Sequence, residues 1–294
     1  MTKHKGIVLA GGASSRLWPT TLGMSKHLLP IYDKPLIYYP LSVLMLAEIR
    51  DILIITTPSD QELFKRILGD GSRFGINLTY ISQEQPRGIA DALVISEGFV
   101  NNSPFALILG DNLFHGQAFT PILKDALNSD RGATVFAYPV KDPERFGVVE
   151  LDRNGSPISL EEKPSSPRSN LAVTGLYIFD NQATNVAKQI RPSGRGEIEI
   201  TDVNKFYLEK GALTVKVLGR GFAWLDTGTP QAMLEATHFV QTIQSMHGYY
   251  IACLEEIGWN SGWLTRKKLL ENESLYAKSD YGRYVLGFVK GHRN

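Results

Sequence analysis

The stretch GIVLAGGASSRL, residues 6–17, points to the fold class, because an apolar run, Gly6–Ala10, leads directly into a turn of small residues. An apolar run without polar alternation is typical of a strand covered on both faces of a parallel sheet. Small residues after such a strand let the backbone approach a ligand, and their N–H groups can bind an anion. Arg16 adds a fork of donors that suits phosphate oxygens. The stretch therefore predicts a parallel α/β sheet with an anion site after its first strand.

Strand and helix patterns alternate through the first 130 or so residues. The next predicted strands are Asp51–Thr57, Leu78–Ser82 and Phe105–Leu109. The predicted helices are Leu36–Ile49, Asp60–Leu68, Ile89–Phe99 and Phe119–Leu127, with Pro58-Ser59-Asp60 as the N-terminal cap of the second. Alternation at this interval indicates right-handed βαβ units. We therefore expect an α/β fold with an open, mostly parallel, Rossmann-like sheet flanked by helices.

The later parts of the chain have different patterns. Asn154-Gly155, a strong hairpin turn motif, separates the predicted strands Gly147–Leu151 and Pro157–Glu161. Further strands are expected at Val173–Phe179 and Leu213–Leu218. After Pro230 one amphipathic helical face is formed by Met233, Ala236, Thr237, Val240 and Ile243. We predict a core of residues 1–230 with inserted β-hairpins, followed by a C-terminal helical region, residues 231–294.

Composition and charge exclude several classes of function. The 294 residues carry 31 Lys and Arg against 30 Asp and Glu, a net charge of +1. Nothing in that balance indicates binding to nucleic acid or to an anionic membrane. A single cysteine, Cys253, excludes an internal disulfide framework and a cysteine-based zinc site. The apolar runs are too short for a membrane span or a secretory signal, so we expect a soluble, cytoplasmic protein.

Two acidic residues that follow apolar runs are candidates for a metal site. Asp111 follows the predicted strand Phe105–Leu109, and Asp226 ends the run that begins at Phe222. Open α/β sheets place their ligand sites at the carboxyl ends of strands. Mg²⁺ prefers a few carboxylates together with phosphate oxygens of a substrate. Either residue alone is better explained as a turn cap, but together with a phosphate loop they favour a Mg²⁺ site.

Three basic residues are candidates for neutralising phosphates: Arg16, Lys26 and Lys163. A lysine at a strand end is usually solvated, so Lys163 becomes interesting only beside the other phosphate ligands. Thr201 and Asp202, after a glycine-containing loop, are typical of a helix cap. The six histidines share no metal-ligand spacing, and no Ser/His/Asp or Cys/His arrangement stands out. The sequence therefore suggests no protein nucleophile.

These motifs together resemble the sugar nucleotidylyltransferases, and most narrowly the branch of that family that makes dTDP-glucose. The segments that carry the resemblance occur in the family's order and are Leu9–Leu17, Ser25–Pro30, Tyr32–Pro40, Leu109–Asn112, Asp142–Glu150, Glu161–Pro164, Ala172–Tyr177, Gly196–Asn204 and Ala223–Thr229. A weaker likeness continues through Cys253–Ile257 and Tyr281–Tyr284.

The resemblance implies that α-D-glucose 1-phosphate attacks the α-phosphorus of dTTP in line, giving dTDP-glucose and pyrophosphate, with Mg²⁺ as cofactor. This is the first step of dTDP-rhamnose and dTDP-deoxysugar synthesis. The implied catalytic residues are Arg16, Lys26, Lys163, Asp111 and Asp226, of which Asp111 and Asp226 hold the metal. The implied nucleotide-binding residues are Leu9, Gly11, Gly12, Ser14, Ser15, Arg16, Lys26, Gln83, Gly88 and Asp111. The implied sugar-phosphate ligands are Asn112, Gly147, Glu162, Lys163, Val173 and Trp224.

By the same resemblance the protein is expected to be a homotetramer, with residues 231–294 as its oligomerisation and regulatory region. A second nucleotide-sugar site at subunit contacts is expected to give feedback inhibition by dTDP-rhamnose. The residues implied for it are His115, Gly116, Gln117, Gly219, Arg220, Cys253, Glu255, Glu256 and Ile257.

Five positions depart from the family pattern and leave the choice of nucleotide open. Ser14 and Ser15 replace a glycine and a threonine of the phosphate loop, and His27 replaces a glutamine. Arg87 and Asp91 replace an aspartate and a glutamine in the base-binding stretch. One alternative is the same reaction with UTP, since a methyl group discriminates by only ~1–3 kcal/mol. Another is a catalytically silent sensor of sugar nucleotides, although the retained carboxylates and cations favour an enzyme.

Overall fold

A nine-stranded sheet, accompanied by two small two-stranded sheets, forms the centre of the molecule. The computed structural model describes residues 4–12, 14–128 and 132–291, so Ala13 of the quoted loop and both ends of the chain lie outside the described residues. The strands are β1 (Lys5–Ala10), β2 (Pro30–Ile31), β3 (Lys34–Pro35), β4 (Asp51–Thr56), β5 (Asn77–Ser82), β6 (Phe105–Leu109), β7 (Asn112–Gly116), β8 (Ala133–Pro139), β9 (Gly147–Leu151), β10 (Pro157–Glu162), β11 (Leu171–Phe179), β12 (Leu213–Val217) and β13 (Phe222–Asp226).

Helices flank the sheet and form the last part of the described chain. They are α1 (Tyr38–Leu46), α2 (Gln61–Leu68), α3 (Asp91–Ile95), α4 (Glu97–Val100), α5 (Phe119–Leu127), α6 (Ala183–Ala187), α7 (Ile200–Glu209), α8 (Pro230–His247), α9 (Leu254–Asn260), α10 (Arg266–Leu270), α11 (Glu273–Tyr276) and α12 (Asp280–Lys290). None of the described helices is long and apolar enough to cross a membrane.

The predicted α/β architecture is confirmed, with two directions of strand pairing in the central sheet. The path β12-β8-β11-β6-β1-β4-β5 has parallel pairs throughout β6-β1-β4-β5, whereas β11 pairs antiparallel with both β6 and β8. The predicted hairpin β9–β10 lies beside the start of β11, where Val148 pairs with Ala172. Because β1, β4, β5 and β6 are parallel, their carboxyl ends meet at one edge.

Three helix predictions need correction. The expected helix Ile89–Phe99 is two helices that meet at Ser96, whose hydroxyl donates to the Leu93 carbonyl at 3.0 Å and competes with helix continuation. The helix expected over Leu36–Ile49 is the shorter α1. Asp60 does stand before α2, but its carboxylate accepts from the Thr57 hydroxyl at 2.6 Å instead of from a helix N–H.

Separate apolar clusters cover the two faces of the sheet and the C-terminal helices. The predicted amphipathic face of α8 is confirmed at Ala236 and Val240, which are fully buried against Ile31 and Leu113. Thr237 is not part of this apolar contact, because its hydroxyl donates to a carbonyl within the helix. The helix α8 therefore packs on β2 and on β7, the strand that begins at Asn112 of the site described below.

Candidate active site

A cavity of about 480 Å³ lies at the carboxyl end of β6, between the parallel part of the sheet and the hairpin β9–β10. Nine of the predicted catalytic and sugar-phosphate residues line it: Arg16, Asp111, Asn112, Gly147, Glu162, Lys163, Val173, Trp224 and Asp226. Lys26 reaches the same place through an ion pair with Asp111. The fold thus gathers residues from six distant parts of the chain into one site.

The loop after β1 has left-handed backbone at two positions. Gly12 has φ 104° and Ser14 has φ 49°. Glycine adopts this conformation freely, whereas for another residue it costs roughly 1–2 kcal/mol. Arg16 follows in a short 3₁₀ turn, and a Cβ added at Gly228 would lie 2.8 Å from its Nη2 atom. The glycine therefore leaves room for the guanidinium at the cavity.

Asp111 and Asp226 are neighbours because β7 and β13 pair antiparallel, with Asn112 opposite Asp226. The backbone N–H and the hydroxyl of Thr227 both donate to the Asp111 carbonyl, at 3.1 and 2.8 Å. Burial is the largest single influence on the Asp111 carboxyl and raises its pKa, but the nearby Lys26 and His27 and the hydrogen bonds from Lys26 and Asn112 together bring that pKa to about 2. Burial, together with the charge of Asp111, raises the pKa of Asp226 to about 6.

The pair of carboxylates fits a divalent cation that is bound together with a polyphosphate. Within the described ranges there is no group of three or more His, Cys, Asp and Glu residues that could hold a metal ion, so a cation at this site would take at most two such ligands from the protein. Mg²⁺ commonly takes one or two carboxylates and completes its shell with substrate phosphates and water. A cation between the acids would also relieve the repulsion that raises the pKa of Asp226.

His27 packs beneath this pair without lining the cavity. Burial, followed by the charge of Lys26, lowers its pKa to about 3, so the imidazole is neutral. Its Nδ1 lies 2.8 Å from the Ser25 hydroxyl. A Cβ added at Gly110 would come within 2.7 Å of the ring. His27 therefore fills the space between the loop that carries Lys26 and the end of β6.

The side of the cavity that is expected to hold the sugar phosphate is a hydrogen-bonded network of charges. Glu162 accepts from the Thr201 hydroxyl at 2.5 Å and from Arg195 at 3.3 Å. Arg195 also donates to Glu199 at 2.8 Å. Lys163 follows with φ 45°, a left-handed conformation that ends β10, and its ammonium lies 3.7 Å from Glu162. The network holds two cations and two carboxylates at one wall of the cavity.

Asn112 and Trp224 form the floor between the two sides. The Asn112 amide donates to the Asp111 carboxylate at 2.9 Å, while its oxygen accepts from the Trp224 indole at 2.6 Å. The same oxygen accepts from the backbone N–H of Gly175 at 3.1 Å. The centroid of the indole ring lies 5.2 Å from the centroid of the Phe146 ring. The hydrogen bond to Asn112 and this ring contact together fix the position of the indole.

Two of the predicted base-binding residues, Leu9 and Gln83, lie beside Gly11 of the glycine loop, whereas Gly88 contacts a different segment. A Cβ added at Gly11 would lie 3.1 Å from Gln83 Oε1 and 3.8 Å from the side chain of Leu9. Gly88 has φ 101°, and a Cβ there would be 2.5 Å from the Ile198 carbonyl. The loop that carries Gly88 is therefore pressed against the segment that leads into α7.

Sequence reasoning missed several residues of the cavity. They are Arg145, Phe146, Gly175, Tyr177, Arg195, Glu197, Glu199, Ile200 and Thr201, together with Ile89 and Leu109. The expectation that Thr201 or Asp202 caps a helix is wrong, because Glu199 occupies the position before α7 and Thr201 instead donates to Glu162. The only local indication was the density of charge from Arg195 to Glu199.

A second cavity, of about 350 Å³, includes part of the set implied for regulation. Its lining includes His115, Gly116, Cys253, Glu256 and Ile257. Gln117, Gly219 and Arg220 are exposed and are not among its lining residues. Glu255 is also not among them, because it is buried and accepts hydrogen bonds from Tyr276 and Tyr281.

The architecture and the site define a nucleotidyl-transfer fold, and comparison with known proteins agrees. The family model described as nucleotidyl transferase matches residues 5–243. The chain belongs to the nucleotidyl transferase family. The predicted resemblance and the prediction of an enzyme are therefore confirmed.

Individual relatives indicate which activity within this family the chain resembles. A glucose-1-phosphate thymidylyltransferase of Neisseria meningitidis is 58% identical over 286 residues, covering 97% of this chain and 99% of the relative. One of Xanthomonas campestris pv. campestris is 52% identical over 290 residues, covering 99% and 98%. A Bacillus anthracis crystal structure assigned to the same activity, in complex with sucrose, has a TM-score of 0.75 at 41% identity and covers 80% of this chain and 94% of that one.

Proposed function

We propose that this enzyme transfers the thymidylyl group of dTTP to glucose 1-phosphate, releasing pyrophosphate and giving dTDP-glucose. The observation that supports this proposal most directly is that one cavity is lined by Arg16, Lys163 and the carboxylates Asp111 and Asp226. Two polyanionic reactants repel each other, so their reaction depends on alignment and charge neutralisation more than on covalent help. The names of the relatives support the same pair of substrates.

On the nucleotide side, the loop after β1 receives the triphosphate. The backbone of Gly11 and Gly12 approaches the phosphates closely, while Arg16 and Lys26 balance the charge of the departing pyrophosphate. Asp111 and Asp226 would hold Mg²⁺, which when bound supplies further neutralisation of phosphate charge. Ser14 and Ser15 complete this loop, and the residues that face the base are Leu9, Gln83 and Gly88.

On the sugar side, the cations orient the attacking phosphate. Lys163 and Arg195 bind the phosphate of glucose 1-phosphate, and Glu162, fixed by Thr201, accepts hydrogen bonds from sugar hydroxyls. The remaining contacts proposed for the sugar are the backbone of Gly147 and Val173, the amide of Asn112 and the ring of Trp224. Because both phosphates are held from opposite walls, the attacking oxygen is aligned with the α-phosphorus.

The test is release of pyrophosphate from the purified protein with Mg²⁺, glucose 1-phosphate and each of dTTP, UTP, ATP, CTP and GTP in turn. Fast release with dTTP that EDTA abolishes is the expected result. A clear preference for UTP would support the same mechanism with UTP as the nucleotide substrate in place of dTTP. Silence with every nucleotide, from a folded protein that still binds dTDP-glucose, would favour the sensor function instead.

We also propose a homotetramer of this chain that works in the cytoplasm and is inhibited by dTDP-sugars at the second cavity. The lining of that cavity by His115, Cys253 and Glu256 supports a site apart from the active site. Sedimentation velocity at micromolar concentration is expected to give a tetramer, and a monomer would remove the proposal. Inhibition by dTDP-rhamnose should be weakened by His115→Ala, which removes a half-buried side chain from the lining of that cavity.

A further inference from the structure

The amide of Gln83 is held by a buried carboxylate. Gln83 follows β5 and is 7% exposed. Its Nε2 donates to Asp91 Oδ2 at 2.7 Å, and Asp91, the first residue of α3, is 2% exposed. The other oxygen of that carboxylate is 3.3 Å from Nη2 of Arg87. The three side chains form a chain of contacts from the surface to the base side of the site.

This contact determines which way the Gln83 amide points. The two ends of a glutamine amide have nearly the same shape, but an ionised carboxylate only accepts hydrogen bonds. Asp91 can therefore bind only the NH₂ end of Gln83. The carbonyl end is left facing Gly11, where a Cβ would lie 3.1 Å from Oε1. A fixed hydrogen-bond acceptor thus faces the glycine loop that receives the nucleotide.

We propose that Asp91 is a positioning residue that makes this site select pyrimidines with an imide N–H over cytosine. The inference rests on the proposed function, because it concerns the base of the same nucleotide. Thymine and uracil carry an N–H at ring position 3, which matches a fixed acceptor. Cytosine carries a lone pair there, so Gln83 Oε1 would face another acceptor and both would stay unsatisfied. The selectivity acts on the imide edge and not on the methyl group.

Arg87 contributes less to this selection. Its side chain is 61% exposed, and exposed ion pairs contribute little to binding or stability. The orientation of Gln83 follows from the acceptor-only chemistry of the Asp91 carboxylate, which remains when Arg87 is removed. Arg87→Gln is therefore a matched control for a substitution at Asp91.

The test uses Asp91→Asn, which keeps the shape of the side chain but offers either a donor or an acceptor to Gln83. Both orientations of the Gln83 amide then become available. The readout is the ratio of dissociation constants for dUTP and dCTP, measured calorimetrically with Mg²⁺ and without sugar phosphate. These nucleotides differ only in the edge of the base. The wild-type ratio is expected to exceed about 100, and Asp91→Asn should lower it by about tenfold or more.

Three controls accompany this ratio. Arg87→Gln should keep the ratio within about threefold of wild type. In a Gln83→Ala background, adding Asp91→Asn should change the ratio no further, because the acceptor that Asp91 orients is gone. The KM for glucose 1-phosphate should stay the same in Asp91→Asn, and the melting temperature reports whether the variant is folded.

Several outcomes would overturn the proposal. An unchanged ratio in Asp91→Asn, or an equal loss of affinity for both nucleotides, would make Asp91 a structural residue only. Nucleotide binding without turnover would overturn the proposed function while the ratio still tests Asp91. Absence of binding by either nucleotide would overturn both.

Discussion

Asp226 and Glu162 are two acids of one cavity in opposite surroundings. On the sugar side, Glu162 is bound by Thr201 and Arg195, which are themselves tied to the start of α7. On the nucleotide side, Asp111 has Lys26, whereas Asp226 has no ion-pair partner among the described residues. Burial and Asp111 raise the pKa of Asp226 to about 6. The negative charge of Glu162 is therefore balanced by side chains of the protein, whereas that of Asp226 is left to be balanced by what binds.

Under the proposed function, the difference follows from what each side has to recognise. A neutral sugar is selected by fixed donors and acceptors, which need a rigid network. A triphosphate with a dication brings strong charges of its own, so a site that carries uncompensated charge gains affinity when they arrive. Such a site is less stable when empty, which is a common compromise between stability and function. The following experiments act on one side or the other.

The largest effect is expected from Asp226→Asn, which removes the charge that has no partner. The turnover number should fall by about 10³, the order found when a group that stabilises transition-state charge is removed. The affinity for dTTP should remain measurable, because Arg16 and the glycine loop are intact. Stopped-time assays of pyrophosphate release measure the turnover number, and calorimetry measures the affinity for dTTP separately. Near-normal turnover would contradict the metal assignment.

The same substitution is expected to stabilise the fold at neutral pH. The pKa of Asp226 is about 6 in the folded protein, above the ordinary value of 3.8, so folding favours the protonated acid. The contribution of this acid to the free energy of unfolding is therefore fully present below pH 4 and is lost as the pH rises through 6. In EDTA, Asp226→Asn should therefore exceed wild type by on the order of 2 kcal/mol at pH 7 and match it at pH 4. Urea unfolding at both pH values measures this. A gain that is the same at both would show that charge is not the cause.

A smaller effect is expected on the sugar side from Thr201→Val, which keeps the shape but removes the donor to Glu162. The KM for glucose 1-phosphate should rise about tenfold, since one buried hydrogen bond to a charged group is lost. The KM for dTTP should not change. Thr201→Ser restores the hydroxyl and should recover most of the affinity. A parallel rise in both KM values would mean that the two sides are not independent.

The smallest effect is expected from Ser14→Gly on the nucleotide side. Ser14 has φ 49°, which glycine adopts without strain, but glycine also makes the unfolded chain more flexible. These contributions oppose each other, so the free energy of unfolding should change by less than about 1 kcal/mol. Ser14→Val places a branched side chain at this left-handed position, which strains the backbone, and it should lower the free energy of unfolding clearly. Thermal unfolding of the three proteins compares them.

Local patterns predicted most of the fold and several of the residues that line the cavity. The strands β1, β4, β5, β6, β9 and β10 lie within a residue of where the sequence places them. Asp111 and Arg16 were found because each follows a buried strand. The split between α3 and α4 was missed, since a serine hydroxyl that bonds back to Leu93 is invisible in helical spacing. Arg195 and Thr201 were missed as lining residues of the cavity, because their contacts with Glu162 join positions more than 30 residues apart in the chain.

The amino-acid sequence was enough to predict the alternation of strands and helices, the glycine-containing loop after β1 and the two acids at the cavity. These features depend on hydrophobic periodicity and turn chemistry, which act between neighbours in the chain. The opposite pKa shifts of Asp111 and Asp226, the network around Glu162 and the hydrogen bond between Gln83 and Asp91 became visible with the folded chain. They depend on distances through space and on burial, and electrostatic energies change with both. Identical residue types thus acquire different chemistry according to what the fold places beside them.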